Sequence, residues 1–447
     1  MGTENITYHQ TRNRAAQTDL RATSAFSAWT QGRSVPSMGT NSGAAVLAFQ
    51  EWRHFKEAFA PELVARAVDE DPNPVVQCLD PFGGSGTTAI ACQFLGIKPV
   101  TIEVNPYLAD LIEAKLTTYN ADKLIHDLGV ILRRASQLQS EAPPILPLNA
   151  PPTLLEPGVK GRWVFDKGVE RRVAALLSSI SHLEDISHQR LFKVLLGGIL
   201  LQVSNVVVNG KGRRYRKRWR ERRRPPKAVD HLFSKSARRA ILDIHKFGQR
   251  PCLEKAVLRG DARQRIYDAP PVDLAVFSPP YPNSFDYTDV YNLELWVLGY
   301  LSDKQDNRDL RQSTLCSHVQ IDRAYPAPPA GSSTLNRTLL EVRERSNELW
   351  HKRIPEMLGG YFSDLTSVLT AIHAVIRKEG RVWLVVGDSR YAGVTIPTAQ
   401  ILTELAPEYG YQTLSLEPFR SMRSSAQQGG KHQLEESLVV LASRGPS

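Results

Sequence analysis

The chain has little cysteine, no long apolar run and no excess of acid, and each shortage removes a class of protein. The four cysteines, Cys78, Cys92, Cys252 and Cys316, are scattered without a CxxC pair. That excludes the usual spacing of a disulfide framework or structural zinc site, so no metal is expected, and a reducing compartment fits. The longest apolar stretch, VLLGGILLQV from Val194, is about half of what spans a bilayer. The opening MGTENITYHQTRNR has no apolar segment of a secretory signal. No membrane partner is expected, and the reading is a soluble cytoplasmic protein.

What is present is length and base. At 447 residues the chain calls for a core domain plus insertions or a second domain. Its net charge of +10 is concentrated: KGRRYRKRWRERRRPPK, Lys211 to Lys227, holds eleven Lys or Arg and one Glu. The remainder is formally neutral. Planar guanidinium groups alternate there with Tyr215 and Trp219, a pattern suited to gripping phosphates and stacking on bases. Arg213, Arg214, Arg216, Arg218, Arg220 and Arg222, with the two aromatics, are the candidate nucleic-acid contacts. A solvated, like-charged loop is the plainer alternative.

Apolar runs of strand length recur with helical spacing between them: VVQCL (75–79), PVTIEV (99–104), KAVLRGD (255–261), DLAVF (273–277), RVWLVVGD (381–388), TLSLEP (413–418) and ESLVVLA (436–442). TTAIACQFL, ending at Gly96, and SDLTSVLTAIHAVIRK (363–378) read as helices. This alternation predicts an α/β fold, a doubly wound, mostly parallel seven-stranded sheet with helices on its faces. The expected organisation is a flexible segment over 1–44, core over 45–106, a helical and basic insertion over 107–254, core over 255–300, a polar, turn-rich insertion over 301–355, and core over 356–447.

LDPFGGSGTT (79–88) ends the first strand and opens a helix, and Glu103 follows 20 residues after Gly83. Glycines let a backbone turn sharply and approach a ligand, and an acid at the end of the next strand can accept ribose hydroxyls. No Lys follows the glycines, so the turn is not a P-loop, and the GxGxxG dinucleotide pattern is absent.

DPFGGSGTT followed by SPPY at Ser278–Tyr281 resembles the S-adenosylmethionine-dependent DNA amino-methyltransferases, which have a Rossmann-like fold and methylate N4 of cytosine or N6 of adenine. The resemblance implies S-adenosylmethionine as cofactor, held by Asp80, Phe82, Gly83, Ser85, Gly86, Thr87 and Glu103, with Asp261 facing the adenine ring. FQEWRHFKEAFAPELVARAV (49–68) is similar to the family's N-terminal cofactor-contacting helix and adds Phe55 and Lys56. It further implies double-stranded DNA as partner, a flipped base, a restriction-modification system and a prokaryotic, nucleoid-associated location. SSAQQGGKHQLEESLVVL (424–441) is similar to a polar turn in some bacterial members, with Leu434, Glu435 and Glu436 where basic residues are expected.

An exocyclic amine is a poor nucleophile because its lone pair is delocalised into the ring. Acceptors on its two hydrogens localise that pair, and the Ser278 hydroxyl oxygen and Pro279 carbonyl are the expected pair. Pro279 and Pro280 stiffen the turn and offer no N–H to occupy those acceptors. Tyr281 is expected to stack on a base flipped from the duplex, and Phe285 or Tyr287 can line its pocket. Serine at the first position goes most often with N4-cytosine and Asp or Asn with N6-adenine, so the reading is N4-cytosine with N6-adenine as alternative. An RNA methyltransferase, a methyltransferase acting on protein glutamine and a catalytically inactive nucleic-acid-binding protein are further alternatives. Methylation at ring carbon 5 needs a Pro-Cys nucleophile, and Pro251-Cys252 stands before the third strand with no ENV tripeptide beside it.

Overall fold

All seven strand-length runs enter one sheet. A computed structural model describes residues 24–35, 38–41, 43–53, 58–138, 144–209, 212–283, 286–423 and 433–444. In chain order the strands are β1 (Gln77–Asp80), β2 (Lys98–Glu103), β3 (Val206–Asn209), β4 (Gly212–Tyr215), β5 (Ala256–Arg259), β6 (Val272–Phe277), β7 (Ile376–Gly387), β8 (Ser389–Tyr391), β9 (Val394–Ile396), β10 (Tyr411–Arg423) and β11 (Gln433–Ser443). The main sheet runs β10-β11-β7-β6-β1-β2-β5. It is parallel except at β11, which is antiparallel to both neighbours. β6 sits at the centre with five of its six residues buried, as a strand covered on both faces must be.

The principal helices are α1 (Glu62–Asp69), α2 (Thr87–Leu95), α3 (Pro106–Leu116), α4 (Ala121–Leu138), α5 (Lys167–Ile180), α6 (Ile186–Val203), α7 (Lys227–Lys246) and α8 (Ile354–Val375). Glycines with positive φ bound α2: Gly86 (φ 83) precedes it and Gly96 (φ 75) ends it. Asn105 caps α3 through the Tyr107 N–H, with Pro106 in the first turn.

Two apolar clusters cover the sheet. One includes Val276 and Trp383 of the sheet with Leu196 of α6 and Phe233 of α7. The insertion therefore shares its core with one face of the sheet. The other gathers α8 against Ala275, Phe277 and Leu384. Between α6 and α7 the chain makes a hairpin, β3 against β4, which places the first part of the basic run in a strand.

Three expectations change. Residues 24–30, within the segment expected to be loose, form a helix, because Trp29 is buried and stacks on Phe94 at 4.7 Å. The 301–355 stretch contains helices Lys304–Gln312 and Ser333–Glu344. The second is tied down through Ser332 and Thr334, whose hydroxyls donate to Glu404. α8 also starts at Ile354, nine residues before the helical run read from sequence, and yields to β7 at Ile376. Among the described residues no helix is long and apolar enough to cross a membrane.

Candidate active site

From β1 the sheet grows one way through β2 and β5, and from β6 it grows the other way through β7. The first crossovers on the two sides of this boundary leave a crevice at the carboxyl ends of β1 and β6. The glycine turn follows β1 there and SPPY follows β6. Both line one cavity of about 300 Å³.

On the β1 side, buried Asp80 accepts the Phe82 N–H at 2.9 Å. Burial pushes its carboxyl up to about 6, opposed by that N–H and the Thr88 hydroxyl. The Gly83 N–H donates to the Ile102 carbonyl at 2.9 Å, so the turn lies against β2. A Cβ on Gly83 would sit 2.3 Å from the Thr101 methyl, which is why this position takes glycine. Glu103 is 7% exposed and reaches back to the turn, accepting the Gly84 N–H at 2.7 Å and the Asn105 N–H at 2.8 Å. Burial still raises its carboxyl to about 7. Asp261 caps the turn after β5 and is held by the Arg263 guanidinium, which also pairs with Asp364.

On the β6 side, the Ser278 hydroxyl donates to the Val385 carbonyl at 2.9 Å and lies 3.4 Å from the Tyr281 hydroxyl. The Tyr281 hydroxyl donates to Glu436 at 2.8 Å. Glu436 is 2% exposed at the start of β11 and lines the same cavity. Of the residues departing from the expected basic pattern, Glu436 thus meets the SPPY tyrosine, while Glu435 is exposed.

A third wall comes from the 301–355 stretch, through Ser313, Leu315 and His318 among others. His318 faces Asp286, which carries an Arg311 ion pair. Burial lowers the His318 imidazole to about 4. Asp286 is held below its ordinary value despite burial, by His318, Thr288 and Arg311.

No family model matches the chain. Type II methyltransferase M.BsoBI of Geobacillus stearothermophilus is 25% identical over 437 residues, covering 85% of this chain and 82% of that protein. Type II methyltransferase M.AvaI of Nostoc sp. is 25% identical over 420 residues, covering 85% and 83%. Type II methyltransferase M.MjaII of Methanocaldococcus jannaschii is 36% identical over 70 residues, 16% of this chain and 13% of that protein. The chain is related to the type II DNA methyltransferases. Its methyl donor is S-adenosylmethionine.

The residues around the methyltransferase cavity fit that donor. Ser85 Oγ and Thr87 Oγ1 are buried in the cavity wall without a hydrogen-bond partner, a condition that calls for an acceptor or donor from a ligand. Glu103 lines the same cavity with a buried carboxyl that could accept ligand hydroxyls. Asp80, Phe82, Gly83, Ser85, Thr87, Glu103, Asp261 and all four SPPY residues line the one cavity, and Gly86 lies behind it against Ile112. Phe55, Lys56 and Phe285 lie outside the described residues, as does the Tyr287 side chain. Sequence reasoning missed Glu436 and His318. The departure at Glu436 was visible, but nothing in the sequence joins it to Tyr281. Cys252 is exposed and is not among the cavity residues.

The basic run divides in two. Trp219 is not available for stacking on bases: it is buried edge-on against Trp163 at 4.8 Å, with Arg220 over its ring. Tyr215 packs on Trp219 at 5.2 Å. Arg216 donates to the Ser204 and Leu201 carbonyls, fixing the end of α6, and Arg213 pairs with Asp289 at 3.1 Å. The hairpin is thereby anchored beside the segment that follows SPPY. Arg214, Arg218, Arg220 and Arg222 remain exposed.

Proposed function

We propose that this methyltransferase acts at specific sites in duplex DNA, within a restriction-modification system, on the N4 amine of a flipped cytosine. The observation that carries the reading is the Ser278 hydrogen bond. Its hydroxyl hydrogen is committed to the Val385 carbonyl, so the oxygen's lone pairs remain to accept an amino hydrogen. The Pro279 carbonyl, on a residue with no N–H, accepts the second. Together they hold the amine and draw its electron pair out of the ring. Glu436 holds the Tyr281 hydroxyl and so fixes the ring that stacks on the base.

S-adenosylmethionine, when bound, supplies an electrophilic methyl group. Ser85, Thr87 and the glycine backbone would hold its methionine end, Glu103 its ribose and Asp261 its adenine. Relatives named as type II methyltransferases over 85% of the chain support DNA as the substrate. Extraction of the base is needed because a stacked, paired amine cannot be reached.

The test is to methylate duplex DNA with the purified protein, digest it to nucleosides and weigh them. 4-Methylcytosine is the expected product. 6-Methyladenine would overturn the choice of base, and the absence of any methylated nucleoside would overturn the DNA reading.

A further inference from the structure

The phosphate-gripping surface expected in the basic run is half consumed by the fold, yet a second basic surface follows it directly. α7 presents Lys227, His231, Lys235 and Arg238 at spacings of four, four and three residues, which puts them on one helix face. They line a groove of about 1210 Å³ between α7 and the start of α5, whose far side carries Arg171 and Arg172.

The charges of this groove are poorly matched within the protein. Its single acid, Asp230, is taken by Arg172 at 2.6 Å. Among the described residues no ion pair or hydrogen bond engages the side chains of Arg171, Lys227, Lys235 or Arg238. On a convex helix such charges spread into solvent. Lining a concavity, they face one another, and its walls concentrate their field.

We propose that this groove binds the phosphate backbone of duplex DNA flanking the methylated base. The proposal rests on the DNA reading above. From Lys227 to Arg238 the cations cover ~16 Å of helix, a run matching roughly five phosphates of one strand. The surface is continuous in sequence with exposed Arg222 and Arg224. These contacts set register and affinity and carry no base sequence. The planar, aromatic-interleaved part of the run serves mainly to fasten the hairpin that leads into α7.

The experiment is equilibrium binding of a fluorescent 30-base-pair duplex to the full chain across a salt series. Replacing Lys227, Lys235 and Arg238 together by Gln should weaken binding roughly a hundredfold at 0.15 M salt. It should also make the log–log salt slope shallower by about three. Arg171→Gln, across the groove, should remove about one further unit. S-adenosylmethionine affinity and the thermal midpoint should stay at wild-type values, since these side chains are exposed. An unchanged slope in both variants, with the wild type binding duplex, would overturn the groove alone. A wild type that binds no duplex would overturn the DNA reading and the groove with it.

Discussion

The candidate active-site cleft and the basic insertion use polar residues in opposite ways. In the cleft, polar side chains are buried or half-buried and several are already tied: Ser278 to Val385, Tyr281 to Glu436 and Glu103 to two backbone amides. In the insertion, Trp163 and Trp219 are buried and many of the cations stand exposed on the surface. Burial in the first region sets geometry and protonation before a ligand arrives. Exposure in the second leaves charge to attract a polyanion at long range. A residue's type therefore tells less than its surroundings, and Trp219 and Glu436 are the clearest cases.

The sharpest break of this comparison is Trp219→Ala. If Trp219 belongs to the core, the variant should lose about 3 kcal/mol of stability by denaturant unfolding. Arg222→Gln, three residues on, should stay within ~0.5 kcal/mol. Equal, small losses would return Trp219 to the surface. Glu436→Leu removes the carboxyl that accepts the Tyr281 hydroxyl, a loss of about 2 kcal/mol. The expected outcome is a ten- to hundredfold fall in kcat with donor affinity unchanged, and Glu436→Gln should recover most of it. An unchanged kcat would remove Glu436 from the site.

Glu103 gives a smaller, graded effect. Its folded carboxyl titrates near 7, above the ordinary 4.5. A raised carboxyl contributes stability that is full below about 4.5 and is lost as pH rises through 7. Asp80, raised to about 6, acts in the same direction in the lower part of that window. Ribose hydroxyls donating to Glu103, as proposed, would favour its charged form. Donor affinity should therefore rise by up to about tenfold per pH unit below 7 and level off above it. Calorimetry in buffers of different ionisation heat should detect proton release below pH 7. Glu103→Gln should flatten the profile, and a flat wild-type profile would separate Glu103 from the ribose.

The sheet was legible because its strands are continuous apolar runs ended by glycine or polar turns, signals that sit within a few residues of each other. The same locality made the glycine turn and SPPY readable. Glu436 was not, since it lies 155 residues from Tyr281 and only the insertion of β11 between β7 and β10 brings them together. The wall from Ser313 to His318 was hidden in a stretch that reads as linker, because its ties to Asp364, Asp286 and Glu404 come from distant elements. Trp219 misled for a related reason: its partner Trp163 stands 56 positions earlier, and a basic run gives no hint of it.

The central claim is that one cavity holds the donor on its β1 side and the acceptor amine on its β6 side. It is tested most directly by measuring S-adenosylmethionine binding and methyl transfer together for Ser278→Ala and Glu103→Ala. Ser278→Ala should bind the donor as the wild type does and transfer no methyl group, while Glu103→Ala should lose donor affinity first. Transfer at the wild-type rate by Ser278→Ala, or wild-type donor binding by Glu103→Ala, would contradict it.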